Sequence, residues 1–499
     1  MNIKIKQEVN IPTKSDADTI GHLMLVLPHT QTAQRWPKFP YSGLLKERFV
    51  RSGKKPDDDH LLVTDLPNKA GTHVVLGFIR PDASSFELLT LARKLAASQL
   101  EYNPRSIAFF AAGFNTGFNN RFAEAVVAAA LAITSSMPEY KSTKKKPHPL
   151  RSIHLYGLDT KIDFKRTIAE AEGNNLARQL TALPPNELTP GIYRGRIAEL
   201  AREHGWHMEF LDTKILKRKK AGAFLAVAQG SLEQDAGIVH LRYQPKDSGQ
   251  TRSLALVGKG ICFDTGGTNL KRAKHMLGMH EDMQGSAVAL GVLLALTRLQ
   301  APFPVHCWLA LAQNHIGPGA YKQNDVVTAC NGTTIEVMHT DAEGRMVLAD
   351  TLALASRESP GLIIDYATLT GTCVYALSTR YSGAFTNNDR LIPVLIAAGR
   401  DSGERIWPFP IDEDFDKELE STVADTKQCT LEGEADHILA ARFLSRFIAG
   451  RPWIHIDLSA GNHKGGLAHI PTDITGFGVR LTLNLLLDKQ VLTAPATHR

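Results

Sequence analysis

The sequence predicts an α/β protein of two domains, a smaller N-terminal one with a mostly parallel sheet and a larger C-terminal one, joined by a long helix. Three observations lead there. Short apolar runs of strand length alternate with stretches of helical spacing along nearly the whole chain, the order that builds a parallel sheet with crossover helices. At 499 residues the chain is longer than one hydrophobic core ordinarily serves. One long helical segment also stops on paired prolines, which marks a junction.

The elements follow in order. "THVVLGFI" (Thr72 to Ile79) reads as a buried strand, and "SFELLTLARKLAASQL" places Leu and Ala at helical spacing. "SIAFFAA" is strand-like, "RFAEAVVAAALAITSS" helical, and "SIHLYGL" (Ser152 to Leu158) a strand again. From Phe164 the segment "FKRTIAEAEGNNLARQLTAL" reads as one helix, broken at "PPNELTP" (Pro184 to Pro190). The expected division is therefore 1–163 for the N-terminal domain, 164–190 for the connecting helix and linker, and 191–499 for the second domain. There, strands are expected at "SLALVGKGICF", "VHCWLALA", "GLIIDYATL" and "WIHIDLS".

Composition excludes several classes. Hydrophobic residues make up 43% and charged residues 22%, ordinary for a globular protein. The net charge of +6 is mild for such a length, and its densest run, "KSTKKKPHPLR" (Lys141 to Arg151), reads as a solvated loop rather than a nucleic-acid surface. The five cysteines (Cys262, Cys307, Cys330, Cys373, Cys429) stand singly, with no CxxC pair, as in a reducing compartment. No apolar signal core opens the chain, and its most apolar stretches are about half the length of a membrane span. The reading is cytoplasmic, with no membrane partner.

Chemistry concentrates in three stretches. "GMHEDMQG" (Gly278 to Gly285) nearly spells the zinc motif H-E-x-x-H, but Gln284 stands where the second histidine belongs. "VGKGICFDTGGTNLKR" (Val257 to Arg272) is a strand running into a glycine turn with Lys259, Asp264 and Lys271. Its lysine precedes the glycines, so it is no phosphate loop, and on its own it is equally a tight strand end. In "EVMHTDAEGRMVLADTL" (Glu336 to Leu352), Asp341 and Glu343 are two apart, on one side of an extended segment, with Gly344 allowing a turn. Such a pair is either a hydrogen-bonded turn or a pair of metal ligands.

Together these stretches resemble the leucine aminopeptidase (cytosol aminopeptidase) family: "NGTTIEVMHTDAEGRMVLAD" resembles its NTDAEGR signature, "VGKGICFDTGG…LK" its second hallmark, and "EDMQG" its K-x-D-M-x-G. The likeness runs from about Pro184 to the C-terminus. It implies a metal-dependent aminopeptidase that takes peptides with a free N-terminus, with two divalent ions, Mn²⁺ or Zn²⁺, that activate a water. Residue by residue it implies Asp264 and Glu343 shared between the ions, Lys259 and Asp282 on one, and Asp341 on the other. Asp282, not His280, is then the functional residue of its stretch. Lys271 is implied to stabilise the developing oxyanion and Arg345 to hold a bicarbonate as general base. His339 replaces the usual asparagine and is expected to be a hydrogen-bond partner rather than a ligand. Met279, Thr368, Leu369 and Gly371 match pocket-lining stretches and suit an apolar N-terminal side chain. Asp436 and His437 depart from the small residues usual in "GEADHILAARFL", and an acidic wall there would favour basic N-terminal residues. The family also implies a homohexamer. Two other readings are a member given over to DNA binding or regulation, and a relative without catalysis. The seven filled positions argue against the latter.

Overall fold

Residues 3–29, 36–56, 60–143, 146–158, 160–246 and 252–492 are described in a computed structural model. They form two compact units, 1–171 with 464–473, and 172–463 with 474–499. The dividing point falls inside the helix Lys165–Thr181. Nothing in the sequence pattern indicates that 464–473 returns to the first unit.

The first unit holds β1 (Lys4–Gln7), β2 (His22–Pro28), β3 (Leu62–Asp65), β4 (His73–Ile79), β5 (Ser106–Ala111) and β6 (Ser152–Tyr156). Their order is β1-β6-β5-β2-β4-β3, parallel throughout except at the β3–β4 edge. Alternate residues serve opposite faces, as the two-residue strand period requires. Met24, Val26, Val75 and Phe109 pack with Leu95, Phe122 and Val126 of the helices Ser85–Leu100 and Thr116–Thr134 on one face. Leu25, Leu27, Val74 and Phe110 pack with Leu45 and Phe49 on the other. β2, at the heart of this sheet, is a strand beyond those expected from the sequence. Of the basic run, Lys144 and Lys145 lie outside the described residues, while Lys141–Thr143 and Lys146–His148 are exposed, as a solvated loop should be.

In the second unit β7 (His207–Asp212), β8 (Gly237–Tyr243), β9 (Leu254–Asp264), β10 (Val305–Asn314), β11 (Val326–Thr328), β12 (Thr334–Glu336), β13 (Leu362–Ala367), β14 (Ser382–Thr386), β15 (Ile406–Pro408), β16 (Thr426–Lys427) and β17 (Trp453–Asp457) form two sheets. The large one runs β15-β14-β17-β13-β9-β10-β8-β7, and β11-β12-β16 make a small one. β17, β13, β9 and β10 are mutually parallel, flanked by antiparallel neighbours on both sides. That parallel centre is buried, and its strands are near-continuous apolar runs for that reason. All four strands expected from sequence in this unit are these central ones. The helices Gln284–Arg298 and Glu343–Arg357 cover it.

Candidate active site

The site lies at the carboxyl ends of the central parallel strands, where open α/β sheets bind ligands. β9 carries Lys259 within its length and Asp264 at its end. The chain then turns through Gly266 and Gly267, with φ of 87° and 62°, conformations that a side chain disfavours. That turn lets the Gly266 N–H donate to Asp264 Oδ1 at 2.8 Å and brings Lys271 back over the strand end. Asp282 sits in the short turn Met279–Met283 ahead of the helix Gln284–Arg298. Close approach holds it against Lys259: a Cβ on Gly258 would strike Ser286, and one on Gly285 would strike the Tyr366 carbonyl.

Asp341 and Glu343 arrive differently from the expectation. Glu343 begins the helix Glu343–Arg357, so the two are not neighbours on one extended segment. Gly344 is not a turn residue either. It is inside the helix, where a Cβ would lie 2.6 Å from Lys259 Cε. The glycine is there to make room for that lysine.

Two lysine–carboxylate groups result. Lys259 Nζ donates to Asp282 Oδ1 at 2.7 Å and to the Thr368 carbonyl at 2.9 Å, and stands 2.9 Å from Glu343 Oε1. Lys271 Nζ stands 2.9 Å from Asp264 Oδ2 and 2.5 Å from Asp341 Oδ1. Asp264, Asp341 and Glu343 each offer an oxygen within 4.8 Å of the others'. Four carboxylates thus face two amines, a shortage of positive charge in a buried place. Burial first, then the charge of Asp264, pushes Asp341 up to about 7 and Glu343 to about 8. Burial opposes the Lys259 charge, but Asp282, Glu343 and Asp264 outweigh it and hold the amine protonated well above its usual range. Burial likewise works against Lys271, and Asp264, Glu343 and Asp341 raise it in the same way.

This donor set fits divalent cations. Asp282 Oδ2 is buried with no hydrogen-bond partner, the carboxylates lack matching positive charge, and hard oxygens with one nitrogen suit Mn²⁺ or Zn²⁺. A cation would also relieve Lys259 of the need to carry a proton.

The groups line a cavity of about 640 Å³, within the usual range for a small-molecule site. Met279, Thr368, Leu369 and Gly371 line it too. Arg345 is buried on the helix Glu343–Arg357, and its Nη1 donates to the Gln428 carbonyl at 3.0 Å. Its Nη2, where the resemblance implies a bicarbonate, donates to both oxygens of Asp436 at 2.8 and 2.9 Å. This corrects the acidic-wall expectation: Asp436 reaches the cavity, but its charge is matched by a guanidinium. His437 does not line the cavity; it bonds Thr372 and packs edge-on against Phe409. The His339 ring accepts from the Asp341 backbone N–H at 3.2 Å.

Sequence reasoning misses the residues that aim these groups. Asn314, at the end of β10, donates to Asp264 Oδ1 at 2.8 Å and to the Thr340 carbonyl at 3.0 Å. The Gln428 side chain accepts the backbone N–H of Met338 and His339, tying down the loop that bears Asp341. Asp457 accepts from Leu369 N–H at 3.1 Å and Thr370 Oγ1 at 2.6 Å, fixing the pocket wall. Only Asp457 has a visible signal, an acid ending an apolar strand.

Residues 175–483 match the cytosol aminopeptidase family, catalytic domain. The chain belongs to the cytosol aminopeptidase family. The probable cytosol aminopeptidase of Parasynechococcus marenigrum is 36% identical over 472 residues, covering 93% of this chain and 95% of its own length. That of Wolbachia pipientis is 42% identical over 330 residues, 65% of each chain. A tomato leucine aminopeptidase mutant has the same fold, with TM-score 0.85 and 28% identity over 97% of this chain and 96% of its own. The bottromycin maturation enzyme BotP, in complex with Mn, follows at TM-score 0.81 and 30% identity, covering 94% and 99%. As a cytosol aminopeptidase family member the chain is a metal-dependent aminopeptidase, a hydrolase of peptides. No helix among the described residues is long and apolar enough to cross a membrane.

Proposed function

We propose that this aminopeptidase releases N-terminal residues at a two-ion centre held by Lys259, Asp264, Asp282, Asp341 and Glu343. The observation that carries the reading is the buried surplus of carboxylates over amines on the wall of the cavity. Asp264, Asp341 and Glu343, with Lys259 and Asp282 beside them, would hold the ions. When bound, the ions supply Lewis acidity toward the scissile carbonyl and toward water.

The chain's own residues do the rest. Lys271, charged and partly open to the cavity, stabilises the negative charge that grows on the carbonyl oxygen. Met279, Thr368, Leu369 and Gly371 receive the N-terminal side chain, with Asp457 holding the wall in place. The acidic cluster attracts the free amine of the substrate, which restricts cleavage to the chain end. Base chemistry centres on Arg345, where resemblance to the family supports a bicarbonate and this chain carries the Asp436 carboxylate. Resemblance to the family also supports Mn²⁺ or Zn²⁺, a homohexamer and a cytoplasmic location.

The test is hydrolysis of aminoacyl amides and of an N-terminally blocked peptide, after metal removal and with Mn²⁺ or Zn²⁺ restored. Metal-dependent cleavage of the free-amine substrates alone is the expected result. Cleavage of the blocked peptide, or full activity without metal, would sink the reading.

A further inference from the structure

Hydrolysis of an amide needs a group that takes a proton from water and delivers it to the leaving nitrogen. The cavity offers few. Asp264, Asp282, Asp341 and Glu343 are committed to the two lysines or to the ions that fit there, and the lysines carry no acceptor while protonated. Asp457 is spent on Leu369 and Thr370, and Glu281 accepts from Asn462. His339 already accepts from the Asp341 N–H through Nδ1, and His275 is a solvent-exposed residue of the short helix Ala273–Met276 at the rim of the cavity. Asp436 is different. Its carboxylate lines the same cavity, its side chain keeps 22% of its surface open, and its charge is fixed by a guanidinium that is itself 2% exposed.

The geometry of that pair leaves the carboxylate usable. A single nitrogen, Arg345 Nη2, bridges both oxygens, so the contact takes two of about four acceptor sites and leaves one on each oxygen. The backbone is bent to present it. Ala435 holds φ of 52°, a left-handed conformation unusual for alanine, and Asp436 follows as the first residue of the helix Asp436–Ser445. Strained alanine before a paired, cavity-lining acid is an arrangement that stability alone does not call for.

We propose that Asp436 is a catalytic residue of this enzyme, a built-in carboxylate base carried by Arg345 that makes an external bicarbonate unnecessary. One water O–H bond breaks as the new C–O bond forms at the scissile carbonyl, and the proton passes to an Asp436 oxygen. When the C–N bond breaks, the same proton goes to the leaving nitrogen, and Asp436 returns to the carboxylate. Water and amide are consumed, acid and amine are formed, and no other reactant is needed. The inference rests on the aminopeptidase reading above.

Asp436→Ala removes the base and opens a carboxylate-sized space beside Arg345; Asp436→Asn keeps the shape without the basicity. With the metal-loaded enzyme in carbonate-free buffer, wild type is expected to be unaffected by added bicarbonate. Both variants lose roughly 100-fold or more in kcat. Bicarbonate or acetate restores Asp436→Ala but not Asp436→Asn, and chloride, which balances the guanidinium charge but takes no proton, restores neither. In parallel, ¹³C-labelled bicarbonate should bind Asp436→Ala and not wild type by NMR, a readout that needs no turnover. It still decides whether Asp436 fills the anion's place if no variant, wild type included, hydrolyses anything, an outcome that would fault the function rather than the placement. Wild type that requires bicarbonate, an Asp436→Ala enzyme as fast as wild type, or rescue by chloride equal to that by acetate would each overturn the proposal. Melting curves of both variants separate misfolding from lost chemistry, and Asp436→Asn carries the test if the alanine variant does not fold.

Discussion

The two lysine–carboxylate groups of the site use the same chemistry at different depths. Around Lys259 everything is sealed: its side chain is 4% exposed, with Asp282 at 7% and Glu343 at 2%. Around Lys271 the corresponding figures are 15% for the lysine, 27% for Asp341 and 3% for Asp264, so the open side lies toward Asp341. A sealed charge is tolerable only when matched, so Lys259 is built to be paired or to surrender its proton to a cation. An amine with an open side can keep its charge and offer it to a substrate. Depth therefore suits one lysine to the ligand role proposed for it and the other to the electrostatic role, although the two residues are the same amino acid twelve positions apart.

The comparison breaks most readily at the sealed group. Glu343→Gln should cost roughly 1000-fold in kcat/KM, with metal content falling in elemental analysis; retained metal and activity would mean that the sealed group is structural. Lys271→Met should cost roughly 100- to 1000-fold in kcat while the metal content stays at the wild-type level. Loss of metal in that variant would erase the distinction between the two lysines. Gly344→Ala sharpens the point more gently, because the atoms nearest its Cβ belong to the end of the Lys259 side chain rather than to backbone. The fold should survive with little change in Tm while activity drops roughly 100-fold; unchanged activity would show that Lys259 tolerates displacement.

The smallest effect concerns a buried pair that offers nothing to the cavity. His455 Nδ1 lies 2.6 Å from Asp365 Oδ1, both fully buried. Burial opposes the imidazolium, but Asp365 outweighs it and raises the His455 pKa above its ordinary 6.5. A raised folded-state pKa contributes stability that is fully present below the unfolded value and lost as pH rises through the folded one. Tm should thus fall by a few degrees on going from pH 6 to pH 9, and the part due to this pair should be absent in His455→Gln. An identical slope in the variant would show that His455 stays neutral.

Much of the fold and of the site is legible in the sequence alone. The strands of the parallel centre announce themselves because burial on both faces demands unbroken apolar runs, as in "SLALVGKGICF". β2 is just as buried an apolar run, and β8 nearly so, yet neither is among the strands expected from the sequence. The seven motif residues can be named because they stand in contiguous stretches that resemble the family's, but their partners cannot. Asn314, Gln428 and Asp457 act on residues 26 to 90 positions away. Gly344 reads as a turn residue in the sequence because its reason for being glycine, Lys259, lies on another element.

What the sequence by itself determined was the fold class, the family and the inventory of acids and amines, since these follow from periodicity and contiguous motifs. What only the tertiary structure decided was how the charges are shared: which lysine is sealed, which is open, and that Asp436 belongs to Arg345 rather than to an acidic wall. Pairing and burial depend on distances through space between elements far apart in the chain, and no local pattern encodes them.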